Sequence, residues 1–120
     1  MNGLIKMLRD LTKVLKSLSD GTRVRIVKML QEKPMCVCEL TEVLGLAFST
    51  VSKHLSILRD AGFIEDTKAG RWVEYRLSEE ARNEFAIKLL PLINNWLSSD
   101  KQIVADREKA AATTRAEIYK

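Results

Sequence analysis

The chain holds two cysteines, and they stand one residue apart in Pro34-Met35-Cys36-Val37-Cys38-Glu39-Leu40. Thiols at that spacing have three chemistries open to them. They can pack as small apolar side chains, close a disulfide or another redox link, or bind a soft ion together as thiolates. In the third case a dithiol favours As(III) or Sb(III), with Cd(II) and Pb(II) also suited to sulfur. The frame Cys36-Val37-Cys38-Glu39 is that of a capping box with Cys36 in the place of Ser or Thr, so Cys36 is expected to open a short helix. Residues i and i+2 of a regular helix point roughly 200° apart. Both sulfurs can then reach one ion only if the first turn unwinds, and an ion that bends its helix acts as an effector by preferring one of two shapes. Catalysis is not expected: the C-x-x-C spacing of thiol-exchange sites is missing, no Ser-His-Asp set stands out, and no Gly-rich phosphate loop occurs.

A second group of functional side chains, Ser49, Thr50, Ser52, Lys53 and His54, falls in the stretch from Phe48 to Asp60. Hydroxyls and cations near the start of a helix can meet phosphates and base edges. A solvated, Ser-rich face would look the same, so the surrounding elements have to decide. Lys68 and Arg71 bracket Ala69-Gly70 and place two cations at a hairpin tip, suited to DNA backbone or minor groove and equally to solubility.

The spacing of apolar residues supplies those elements. Leu4, Met7, Leu8, Leu11, Leu15 and Leu18 recur at helical intervals and predict a first helix over about residues 3–17. Asp20 is a good N-cap for a second helix from Thr22 to Gln31. A third spans Val37 to Leu44 and stops at Gly45. A fourth covers Phe48 to Asp60, with Phe48, Val51, Leu55 and Leu58 forming one apolar stripe. The period then changes to alternation, predicting strands at Phe63–Thr67 and Arg71–Leu77 around the turn Lys68-Ala69-Gly70. A last helix is expected from Ser78, carrying Phe85, Leu89, Leu92, Ile93 and Trp96 on one side, with Pro91 kinking or splitting it. Residues 101–120 read as a polar tail that could hold a short helix, outside a domain over residues 1–100.

Two short helices around a tight turn followed by a hairpin make a helix-turn-helix with a wing, whose second helix would enter the major groove. A length of 120 residues suits one domain, and the net charge of +4 suits a polyanionic partner or simply a solvated surface. No apolar run approaches the ~20 residues of a membrane span. A cytoplasmic location with reduced thiols is expected.

LSDGTRVRIVKML, CVCELTEVLGLAFSTVSKHLSILRDAGFI and KAGRWVEYRL together resemble the ArsR/SmtB family of metal-sensing winged-helix repressors over residues 11–78. The later segment SSDKQIVADREKA resembles the end of the arsenic-responsive members. The resemblance implies a mainly α fold with a β-hairpin, and a homodimer joined through the first and last helices. It also implies binding to an inverted-repeat operator that is released when an effector binds. By the same resemblance Ser49, Thr50, Ser52 and His54 lie near DNA, while Lys53 joins them from its place on the helix. CVCEL resembles the effector site of arsenite-sensing members, where a third cysteine commonly follows three residues after the second; here that residue is Thr41. A water, a small cellular thiol or neither completes such a site, with Met35 a weak candidate, and a redox- or persulfide-responsive repressor or a Cd(II)/Pb(II) sensor of the same fold is the alternative. The His/Asp/Glu cluster that zinc- and nickel-sensing relatives carry on the last helix cannot be assembled. The family often has Ser where this chain has Ala47, the N-cap of the fourth helix, and a lost cap typically costs ~1 kcal/mol.

Overall fold

Side-chain caps set where half of the described helices begin, because the first N–H groups of a helix have no partner within it. In a computed structural model of the chain, describing residues 2–80 and 82–114 and the side chains from residue 6 onward, α1 spans Asn2–Leu18 and α2 spans Gly21–Leu30. Asp20 Oδ1 accepts the Arg23 N–H at 3.1 Å and opens α2 as expected. The short strand β1, Met35–Cys36, leads straight into α3, Val37–Leu44, which ends on Gly45 in the left-handed region at φ 68°. Helix α4 follows at Phe48–Asp60 with Ala47 as an N-cap that makes no side-chain hydrogen bond. Strands β2, Ile64–Ala69, and β3, Trp72–Leu77, form the hairpin, and α5, Glu84–Asn95, and α6, Lys101–Ala112, complete the chain. The expected Leu4 side chain of the first stripe and residues 115–120 of the tail lie outside the described part.

The three strands form one antiparallel sheet in the order β1-β3-β2. Ile64 pairs with Leu77 and Ala69 with Trp72 in the hairpin, while Met35 and Cys36 pair with Tyr75 and Glu74. Strand β1 was not legible from periodicity, since two residues carry no alternation. It ties the cysteine segment to the wing.

One expectation about α5 needs correction. Ser78 does not start it. The Ser78 N–H instead donates to the Phe63 carbonyl at 2.9 Å and closes the root of the hairpin. The helix begins six residues later because Asn83 Oδ1 accepts the Phe85 N–H at 3.0 Å. Gly62, at φ +89°, faces Asn83 so closely that an added Cβ would lie 2.8 Å from the Asn83 Cβ, which reserves that turn for glycine. Pro91 lies inside α5 without dividing it, and the chain breaks only between Asn95 and Lys101.

The core sits between α2, α3, α4 and the sheet: Ile26, Met29, Met35, Leu40, Leu55, Leu58, Phe63 and Ile64 are fully buried. Helix α1 adds Val14. Residues 101–112 form a helix that packs on α2 and α3, burying Ile103 and Ala110. Asp106, itself buried, clamps it with a two-point ion pair to Arg25 at 2.8 and 2.9 Å. None of the described helices is long and apolar enough to cross a membrane.

The thiol pair and the candidate nucleic-acid interface

Cys36 is the N-cap of α3, with extended backbone at φ −85° and ψ 166°, whereas Cys38 lies within the first turn. Their Cα atoms are 5.4 Å apart and their sulfurs are joined as a disulfide. The expectation that α3 must unwind for both sulfurs to meet is therefore wrong. Angles on a helical wheel apply only to residues with helical φ and ψ, and Cys36, at ψ 166°, is extended. The helix is instead held in place at this end: Glu39 Oε1, on a buried side chain, accepts the Cys36 N–H at 2.9 Å. Thr41 Oγ1 donates to the Cys38 carbonyl at 2.8 Å, so that hydroxyl is occupied with backbone rather than turned to the sulfurs. Among the described residues no group of three or more His, Cys, Asp or Glu side chains gathers to hold a metal.

The thiols face a cavity of about 210 Å³ lined by Cys36, Val37, Cys38, Phe48, Arg71, Trp72 and Val73. Its walls come from three places: the start of α3, the first residue of α4 and the wing. Pairing of Cys36 with Glu74 is what brings the wing over the thiols. Arg71 is exposed in the hairpin turn, and its guanidinium carbon lies 5.3 Å from the Trp72 ring centroid, a cation–π contact. Lys68 is exposed on β2.

On α4, Ser49, Thr50, Lys53 and His54 line one concave face of about 550 Å³, together with Ile57 and Arg23 of α2. Ser52 is half-buried on the flank and does not line it. Phe48, placed by spacing in the apolar stripe with Val51, Leu55 and Leu58, does not share their burial. Those three are 0% exposed and Phe48 is 65% exposed, because the first turn of α4 projects past the core.

Arg23 is the residue that motif reading missed. Its Nε donates to the Ser17 carbonyl at 2.7 Å and its Nη2 to the Lys16 carbonyl at 3.4 Å, capping the C-terminal end of α1. Its Nη1 lies 3.2 Å from His54 Nδ1. A guanidinium has donors only, so Nδ1 accepts and the His54 proton sits on Nε2. Asp20, 3.9 Å from Arg23 Nη1, completes the group. The Arg23 backbone N–H holds the Asp20 carboxyl below its usual range, with the Arg23 charge acting in the same direction. A signal was available: a cation in the first turn of a helix opposes the macrodipole and calls for a partner elsewhere.

Residues 20–66 match the family model for bacterial regulatory protein, arsR family. The arsenic resistance transcriptional regulator ArsR1 of Pseudomonas putida is 38% identical over 97 residues, which cover 78% of this chain and 76% of that protein. The arsenical resistance operon repressor of Escherichia coli is 45% identical over 64 residues, 52% of this chain and 55% of that relative. A homodimeric winged helix-turn-helix DNA-binding domain from Mycobacterium bovis, described as a possible ArsR-family transcriptional regulator, shares the fold. Its TM-score is 0.67 at 24% identity, over 90% of this chain and 89% of that one.

Proposed function

Since the chain belongs to the arsR family of bacterial regulatory proteins, which are DNA-binding regulators rather than enzymes, we propose that it is a repressor released from its operator by As(III) or Sb(III) at Cys36 and Cys38. The observation that carries this reading is the meeting of both sulfurs in a cavity walled by α4 and the wing. The relatives named for arsenic resistance support the choice of ion. In the reduced form two thiols can react with arsenous acid: two As–S bonds replace two As–O bonds, and two waters leave with the thiol protons. The third oxygen stays on arsenic or is exchanged for a small cellular thiol, since Thr41 is occupied.

An ion in this cavity acts on the distance between the first turn of α4 and the wing rather than on the regularity of α3. It binds better to the spacing that does not fit DNA, and a coupling of about 1–3 kcal/mol is the ordinary size of such an effect. Ser49, Thr50, Lys53 and His54 form the groove-facing surface in this reading, with Ser52 beside them. Lys68 and Arg71 serve the wing. The operator is an inverted repeat bound by a homodimer, whose recognition helices lie one DNA turn, ~34 Å, apart.

Titration of arsenite and antimonite against the reduced protein on DNA from upstream of its own coding sequence tests the reading. Operator affinity is expected to fall about 5- to 150-fold, and the Cys36→Ser and Cys38→Ser variants are expected to bind DNA and ignore the ion. Variants that respond like wild type would sink it. The disulfide favours a second reading, a thiol redox or persulfide switch. It predicts release on oxidation alone, without arsenite, whereas a Cd(II) or Pb(II) sensor would answer those ions first.

A further inference from the structure

We propose that Phe48 is a base-reading residue of α4, taking the C5-methyl group of a thymine in the operator. The proposal rests on the reading that α4 enters the major groove. Phe48 is the first residue of that helix, and the N-terminal residues of a recognition helix are the ones that reach base edges. Its 65% exposure is the second observation, because the stripe it continues is fully buried. It is also not isolated: Leu46, 37% exposed, precedes it by two residues, and Val73, 40% exposed, lines the same cavity from the wing. An apolar spot therefore stands at the start of α4, apart from the concave face that carries Ser49, Thr50 and Lys53.

The major groove presents donors and acceptors at every base pair, and its apolar feature is the thymine methyl, for which Phe is a suitable partner. A ring at this position cannot exchange hydrogen bonds with a guanine or cytosine edge, and it would leave those polar atoms desolvated and unpaired. Phe48 thus selects for thymine by attraction and against G·C pairs by exclusion. Ser49 and Thr50, next along the helix, remain free to position the backbone.

The test uses the full chain and the tightest duplex selected from a random pool, with each thymine replaced in turn by deoxyuridine, which removes only the methyl group. Wild type is expected to lose about fourfold in affinity at one position of each half-site, the worth of one buried methyl group. Phe48→Ala should bind the original duplex more weakly by at least that factor and show no further loss at that position. Phe48→Leu, which keeps an apolar side chain, should retain the sensitivity. Wild type that binds the selected duplex specifically, yet shows no thymine whose methyl becomes irrelevant in Phe48→Ala, overturns this proposal alone. Wild type that does not prefer any selected duplex overturns the placement of α4 in the groove, and this proposal with it.

Discussion

Arg23 connects three parts of the molecule with one side chain: the end of α1, the start of α2 and His54 on α4. Its side chain is 14% exposed, so removing it leaves the Ser17 carbonyl short of a donor and frees the His54 ring, while the Lys16 carbonyl keeps the Ser19 N–H and hydroxyl. Hydrogen bonds to a charged group are worth about 1.5–3 kcal/mol. Arg23→Met is therefore expected to lower both stability and operator affinity, while Arg23→Lys, which keeps a cation but not the fork, restores only part of each. Nitrogen chemical shifts of His54 separate a positioning role from a purely structural one. Wild type should show an unprotonated Nδ1, and Arg23→Met a mixture of tautomers. A His54 ring with the same Nδ1 signal in both proteins would remove Arg23 from the DNA-reading face.

The elements are joined by contacts that act at their ends. Lys28, buried on α2, donates to the Ile93 and Asn94 carbonyls at 2.9 and 3.2 Å and so holds the last turn of α5. Burial pushes its ammonium pKa down, so part of the gain from those bonds offsets desolvation. Helix α6 is held differently, by Asp106, whose carboxylate accepts from Arg25 and from Gln102. The Arg25 guanidinium is raised above its ordinary pKa by that hydrogen bond. Asp106→Ala is expected to cost about 1–3 kcal/mol, below the full penalty for a broken buried pair because Arg25 can turn to water. Urea denaturation measures that loss, and hydrogen exchange should rise across residues 101–112. Protection there equal to wild type would mean that Ile103 and Ala110 suffice to dock the helix.

At the scale of the whole molecule, apolar surface is left uncovered on two elements. Met7, Leu8 and Leu15 of α1 are 49, 69 and 55% exposed, and Leu92, Trp96 and Leu97 at the end of α5 are 48, 52 and 46% exposed. A second copy of the chain is the partner that the proposed two-fold operator calls for. Leu8→Glu and Trp96→Glu are expected to give monomers in sedimentation. Operator affinity should then fall on the order of 100-fold, because two linked half-site contacts become independent. Variants that stay dimeric would move the interface elsewhere. The net charge of +4 predicts in addition that affinity drops with salt as phosphate contacts release counterions.

Much of this was legible without tertiary structure, and local physics is the reason. Helices α3 and α4 begin and end where the sequence places them, since Gly45 and the apolar period act within one or two turns. Asp20 caps α2 for the same local reason. The winged helix-turn-helix fold followed from the order of those elements. What the sequence could not determine lies in contacts between residues far apart along the chain. Strand β1 exists only because β3 is beside it, and that pairing makes Cys36 extended and brings the sulfurs together. Ser78 is held by Phe63, Arg25 by Asp106, and Phe48 is exposed because the core ends one turn short of it. A periodicity tells which face of a helix is apolar, but only the packed neighbours decide how far along that face the core extends.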